Sequence, residues 1–301
     1  MWLRCGRWAW PGPLSARPCT RALLRRRNCA ASWRVKRCSL ALRPTKQNLI
    51  AMLPQSSPPV PITTVLFDLD DTLFDHTGTA RAALAATAAA DARLQVADPE
   101  ALYQHYSELL EEIHAQLLAG RYTYNEARQL RFECLLGPYG VGAAEVPAIA
   151  QAHYGRYQQL RRPLPGARAL LEALKPHYRI GIVTNNRTAE QVEKLHHLDM
   201  HPFVDVLITP EDVGVPKPDP RIFALALARL GARPAETVLV GDNWTADVLG
   251  ALGAGIRPVW LNRTGPPRSL PHVLEITSLV PLSAVWHAIT GRPVAVGAPA
   301  A

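Results

Sequence analysis

With 301 residues, 48% of them hydrophobic, the chain has room for one large domain or for a core carrying an inserted smaller one, and no apolar run is long enough to cross a bilayer. The formal charge of +8 misleads about partners: residues 1–67 hold 12 Lys and Arg and no Asp or Glu, so the other 21 basic and 25 acidic side chains leave the body at −4. That acidic body argues against general nucleic-acid binding through the folded part, and Cys134, its single cysteine, argues against a disulfide framework or a cysteine zinc site there.

Residues 1–60 are rich in Arg, Pro, Trp and Cys, with no clean period and no C-x-x-C among Cys5, Cys19, Cys29 and Cys38. Three readings compete: a transit peptide, a basic arm for nucleic acid or anionic lipid, and upstream frame that the cell does not translate. The last is preferred, because the composition resembles GC-rich DNA read without selection and Met52 falls just before the first strand. The expected compartment is the cytoplasm, or the mitochondrial matrix if residues 1–50 are a true transit peptide.

Thr64-Val65-Leu66-Phe67 is a short continuous apolar run, suited to a buried parallel strand. Residues 79–160 carry only helical patterns, over about 79–92, 99–119, 123–136 and 143–160, separated by Asp98-Pro99, Gly120 and Gly137-Pro138. Strand–helix alternation then resumes: helix 167–175, strand 179–184, helix 187–197, strand 204–209, helix 219–230, strand 237–241, helix 245–253 and strand 256–261. A strand near 273–276 and a helix near 281–289 close the series. This alternation predicts an α/β fold, a doubly wound, Rossmann-like parallel sheet. The expected division is a leader over 1–60, a core over 61–77 and 161–290, a helical insertion over 78–160 and a disordered tail over 291–301.

In such a sheet, ligands bind beyond the carboxyl ends of the strands. Three strands here end in Asp68-Leu69-Asp70-Asp71-Thr72, in Thr184-Asn185-Asn186 and in Gly241-Asp242-Asn243 with Asp247 beyond, while Lys217 precedes a helix. Asp68, Asp70, Asp242 and Asp247 gathered in one crevice would need a cation, and hard oxygens without His or Cys favour Mg2+. Lys217, Thr184 and the groups around Asn185 are the candidates to hold phosphoryl oxygens. Asp68 and Asp70, at i and i+2, share a side of the chain. Asp68 would attack phosphorus, and Asp70 would protonate the leaving oxygen and then deprotonate the hydrolytic water.

Asp68-x-Asp70-x-Thr72, Thr184, Lys217 and Gly241-Asp242-x-x-x-x-Asp247 follow in the order and spacing of the four motifs of the haloacid dehalogenase superfamily, which the chain resembles over about residues 62–280. The insertion between the first two motifs looks like the helical cap of subfamily I. The resemblance implies that Asp68 and Asp242 bind magnesium by side chain and Asp70 by its backbone carbonyl, with Asp247 in support. Glu211 to Pro218 and Val259-Trp260-Leu261-Asn262 look most like the pyrimidine 5′-nucleotidase and phosphoglycolate phosphatase branches.

The expected activity is therefore magnesium-dependent hydrolysis of a small phosphorylated metabolite through an aspartyl-phosphate, by a monomer or homodimer with no nucleic-acid or membrane partner. A phosphomutase with the same core residues, or a binding module on this scaffold, is the alternative. Simpler readings stand beside several residues. Asp71, Thr72 and Asp219 fit turn formers or helix caps, and Thr184-Asn185-Asn186 alone fits a helix cap. His197 and His201 are four apart, but Asp199 and Pro202 argue against one helix carrying both as metal ligands. His105, Arg121, Tyr122 and Tyr124 in the insertion fit helix packing better than substrate contact. Arg161-Arg162 fits a solvated face near a hinge.

Overall fold

The computed structural model describes residues 60–293, so the expectations for residues 1–59 and 294–301 lie outside the described residues. Six parallel strands form one sheet: β1 (Thr64–Phe67), β2 (Arg179–Val183), β3 (Val206–Ile208), β4 (Thr237–Gly241), β5 (Arg257–Leu261) and β6 (Leu274–Ile276). Their spatial order is β3-β2-β1-β4-β5-β6, the doubly wound sheet that the alternation predicts. Thr64 pairs with Arg179 on one side and Thr237 on the other, which makes β1 an interior strand. All four of its residues are buried, as a run without polar alternation requires.

Between β1 and β2 lie α1 (His76–Ala89), α2 (Pro99–Leu118), α3 (Tyr124–Leu136) and α4 (Val146–Gln159). Local chemistry starts three of them. Asp75 accepts from the Gly78 N–H, Asp98 caps ahead of Pro99, and Thr123 forms a capping box with Glu126. Each such cap contributes about 1 kcal/mol. α1 packs on α4, and α3 packs on both α2 and α4. The chain leaves and rejoins the sheet through paired segments, with Asp75 N–H donating to Arg162 O at 3.0 Å and Leu164 N–H to Leu73 O at 2.8 Å.

The later helices are α5 (Ala167–Leu174), α6 (Thr188–His197), α7 (Pro220–Leu230) and α8 (Leu282–Thr290). Strand side chains alternate between two apolar layers. Val65, Phe67, Ile182 and Val240 meet Leu171 of α5 and Ile289 of α8, while Leu66 and Leu239 meet Phe223 and Leu227 of α7. From β1 the chain adds β2 and β3 on one side, then crosses to β4 on the other. The carboxyl ends of β1 and β4 therefore flank the point where winding reverses, where open α/β sheets form a crevice.

The helix expected over 245–253 is interrupted. A π-helical segment, Trp244–Leu249, precedes a short α-helix, Gly250–Gly253. Asn243 Oδ1 accepts from the N–H groups of both Thr245 and Ala246, and Val248 N–H reaches back to Asn243 O at 3.3 Å. The wide turn goes with an inward Asp247, whose Oδ2 accepts from Asn243 N–H at 2.9 Å. Hydrophobic periodicity carries no signal for that widening. No helix among the described residues is long and apolar enough to cross a membrane.

Candidate active site

The ends of β1 and β4 bring Asp68, Asp242 and Asp247 together, with one carboxylate oxygen from each lying within 4.8 Å of the others. Asp68 follows β1 and is tied to β4 by its N–H, which donates to Val240 O at 2.9 Å. Gly241 makes the approach of Asp247 possible, because a Cβ there would lie 2.4 Å from the Asp247 carboxylate. Thr72, fully buried, donates its hydroxyl to Asp242 Oδ1 at 3.1 Å and accepts from the Asp242 N–H at 3.1 Å. Thr72 is thus more than a turn former: it fixes the orientation of the Asp242 carboxylate.

Lys217 Nζ bridges Asp68 Oδ1 at 2.7 Å and Asp247 Oδ1 at 2.6 Å, and its side chain is buried. Burial opposes its charge, but the two carboxylates overcome this and raise its pKa. One lysine does not balance three acids. Burial, with further increments from Asp247 and Asp70, pushes Asp68 up to about 7 despite Lys217. Burial, then Asp68, Asp247 and Asp71, pushes Asp242 up to about 8. Three hard carboxylates short of positive charge, with no His or Cys among them, fit a small divalent cation such as magnesium.

Asp70 points elsewhere. Its Oδ1 accepts from Lys194 Nζ at 2.6 Å, and its Oδ2 from Gln191 Nε2 at 3.0 Å and Asn186 Nδ2 at 3.4 Å. Burial alone would raise the Asp70 pKa, but Lys194, then His76 and the hydrogen bonds, hold it well below the usual carboxylate range. The Lys194 side chain is 0% exposed and also lies 3.6 Å from Glu190. Sequence reading missed Gln191 and Lys194. Their positions on α6, with Glu190, define one helix face at i, i+1 and i+4, but nothing in the sequence shows that this face meets Asp70.

Thr184, buried beyond β2, accepts at its hydroxyl from Gln191 Nε2 at 2.6 Å and from Asn186 N–H at 3.4 Å. Its own hydroxyl proton remains to be donated. The Asn185 side chain is committed to Lys217: its Oδ1 accepts from Lys217 N–H at 2.7 Å and its Nδ2 donates to Lys217 O at 3.0 Å. That reciprocal pair fixes the lysine backbone rather than reaching into the crevice. The residue capping α6 is Arg187, so Thr184-Asn185-Asn186 is not that helix's cap.

Asp71 has φ of 60° and accepts from the N–H and hydroxyl of Thr77, and Asp219 caps α7, as simple turn and cap readings expect. α6 ends at His197, so His197 and His201 do not share a helix; His201 instead stacks on His196 at 4.1 Å. Arg161 corrects the solvated-face reading. Its side chain is only 1% exposed and pairs with Glu193 at 3.1 Å, because the returning segment is drawn against α6. Arg162 keeps 58% exposure and donates to Asp75.

A second cleft lies under the insertion, where His76 and Asn186 approach from the Asp70 side and Tyr124, Arg128, Arg131 and Tyr154 from α3 and α4. Tyr124 is the one residue of the set His105, Arg121, Tyr122 and Tyr124 that lines it.

A family model described as haloacid dehalogenase-like hydrolase matches residues 62–255. The chain is 32% identical over 228 residues to the glyceraldehyde 3-phosphate phosphatase of Methanothermobacter thermautotrophicus, covering 73% of this chain and 96% of that protein. It is 31% identical over 202 residues to the pyrimidine 5′-nucleotidase YjjG of Escherichia coli, covering 66% and 85%. The crystal structure of the HAD-hydrolase YfnB from Bacillus subtilis, bound to magnesium, superposes with a TM-score of 0.62 at 25% identity, covering 75% and 98%.

Proposed function

From the premise that the chain belongs to the haloacid dehalogenase-like hydrolases, we propose that it is a magnesium-dependent phosphatase of small phosphate monoesters, working through a phosphoaspartate on Asp68. The observation that carries this reading is the Asp68–Asp242–Asp247 cluster at the winding reversal, bridged by a buried lysine. The names of the two relatives, each a phosphatase or nucleotidase, support it.

Asp68 and Asp242, backed by Asp247, would hold magnesium, which supplies positive charge against a dianionic phosphate and keeps Asp68 ionised. Lys217 Nζ, already beside Asp68, neutralises a second phosphoryl oxygen, and the Thr184 hydroxyl donates to another. Asn185 and Thr72 act through others, by fixing Lys217 and Asp242.

An Asp68 oxygen attacks phosphorus as the bond to the leaving oxygen breaks, and Asp70 gives that oxygen a proton. A water then attacks the phosphorus of the phosphoaspartate, Asp70 takes its proton, and inorganic phosphate leaves with Asp68 regenerated. The donor role sets a condition. Asp70 is ionised while it rests on Lys194, so the substrate complex must part them or supply Asp70 with its proton. The helical insertion serves as the cap that closes over this step and excludes bulk water.

The test is turnover of p-nitrophenyl phosphate and of a panel of nucleotides and sugar phosphates with magnesium and with a chelator. Turnover that needs magnesium and disappears in Asp68→Asn is the expected result. Activity that survives in Asp68→Asn overturns the proposal.

A further inference from the structure

The cleft under the insertion is charged in an unusual way. Arg128 and Arg131 stand three apart on α3 and therefore share one face of that helix, and both line the cleft. Neither forms an ion pair among the described residues. Arg131 Nη1 donates to the Tyr106 hydroxyl at 3.1 Å, while its buried Nε has no hydrogen-bond partner. The Arg128 guanidinium lies over the Tyr154 ring at 3.8 Å, an arrangement that leaves its N–H edge free.

Other groups in the cleft do not offset this charge. His153 is pushed down to about 3, by burial first and then by Arg131 and Arg156, and His114 is lowered by burial and then by Arg131. Both imidazoles are neutral near pH 7. The acid that lines the cleft, Glu190, is turned to Lys194. Arg128 and Arg131 are half-buried and lack a counter-ion among the described residues, and a carboxylate or phosphate binds such a guanidinium pair through charge-assisted hydrogen bonds.

The position of the cleft says which part of a substrate would enter it. Asn186, which donates to Asp70, is part of its wall, as is His76. A leaving group whose oxygen sits at Asp70 would extend from there towards Arg128 and Arg131. This deepens the phosphatase reading and rests on it. We propose that Arg128 and Arg131 form a subsite for a second anionic group, a carboxylate or a phosphate, carried on the leaving portion of the substrate.

Two matched pairs of substrates test this, with kcat/KM measured in saturating magnesium. One pair is 3-phosphoglycerate and glycerol 3-phosphate, which differ by a carboxylate. The other is fructose 1,6-bisphosphate and fructose 6-phosphate, which differ by a phosphate. The wild-type enzyme should favour the member with the second anionic group in at least one pair by about tenfold or more, chiefly through KM, and the pair that shows the preference identifies the anion. Arg131→Gln and Arg128→Gln should each reduce that preference about tenfold, with Arg131→Lys keeping part of it. Equal or better use of the member without the second anion in both pairs overturns the inference, as does a preference undiminished in both glutamine variants.

If a variant does not fold, the wild-type preference within the two pairs decides the matter, because absence of any preference in both overturns the subsite without a variant. Competitive inhibition by glycerate, against glycerol as the uncharged control, then tells whether the anion bound is a carboxylate. Turnover of p-nitrophenyl phosphate separates the two readings. Its absence, together with no turnover of any ester in the panel, sinks the phosphatase assignment, whereas turnover without any anion preference sinks only the subsite.

Discussion

The crevice at the ends of β1 and β4 and the cleft under the inserted helices approach each other at Asp70, yet they are built on opposite electrostatic terms. In the crevice, carboxylates exceed cations and each is held by a named partner: Thr72 on Asp242, Lys217 between Asp68 and Asp247, and Asn185 on the Lys217 backbone. In the cleft, guanidinium groups exceed carboxylates and lack ionic partners among the described residues. The first arrangement suits a reaction step that must not vary, because its geometry is fixed before any ligand arrives. The second leaves binding energy for the substrate to complete, which suits selection among phosphate esters.

The largest expected contrast comes from Asp68→Asn. It should reduce turnover of every substrate on the order of a thousandfold or more, whereas substitutions in the cleft should change the ratio between substrates. An Asp68→Asn enzyme that altered selectivity but kept its rate would erase the division between the two regions.

Lys217→Met comes next. It strips the countercharge from two buried carboxylates, and urea unfolding without magnesium should show a loss of about 3–5 kcal/mol. Added magnesium should recover part of it. A loss below about 1 kcal/mol would mean that the crevice is less dependent on its lysine than the geometry requires.

Lys194→Met sharpens the boundary at Asp70. The Asp70 pKa is depressed in the folded state, so the pair's stabilisation is present above the unfolded carboxylate value near ~4 and fades as pH falls through the lower folded value. Wild type should exceed the variant by about 1–3 kcal/mol at pH 7, and the difference should shrink on acidification well below ~4. A difference independent of pH would contradict the ion pair.

The smallest effect concerns metal-free protein. Asp68 and Asp242, raised to about 7 and 8, hold protons that the unfolded chain has released, so stability falls as pH rises through this range. Magnesium should therefore raise Tm more at pH 8 than at pH 6. An equal rise at both, measured by scanning calorimetry, would argue against binding at these carboxylates.

Sequence and structure agree unevenly across the same boundary. The sheet was legible because buried parallel strands are short apolar runs ending in polar residues, and Asp68, Thr184 and Asp242 lie just past such runs. Lys217 was legible from its place among the motifs. Lys194 was not, because a lysine near the end of an amphipathic helix reads as a solvated charge until the helix is docked. Arg128 and Arg131 were hidden for the same reason: spacing places them on one face, but only tertiary contact shows that the face looks onto a cleft rather than onto water. Arg161 was misread because its burial depends on α6, which follows it in the chain.

The central claim is that Asp68 carries the phosphoryl group in transit. Acid quenching during turnover of a small phosphate ester with magnesium, followed by mass spectrometry of the digested protein, tests it directly. The account predicts one added phosphoryl group on the peptide containing Asp68, lost in Asp68→Asn. A phosphoryl group on another residue, or turnover with none detected under conditions that slow the attack of water, would contradict it.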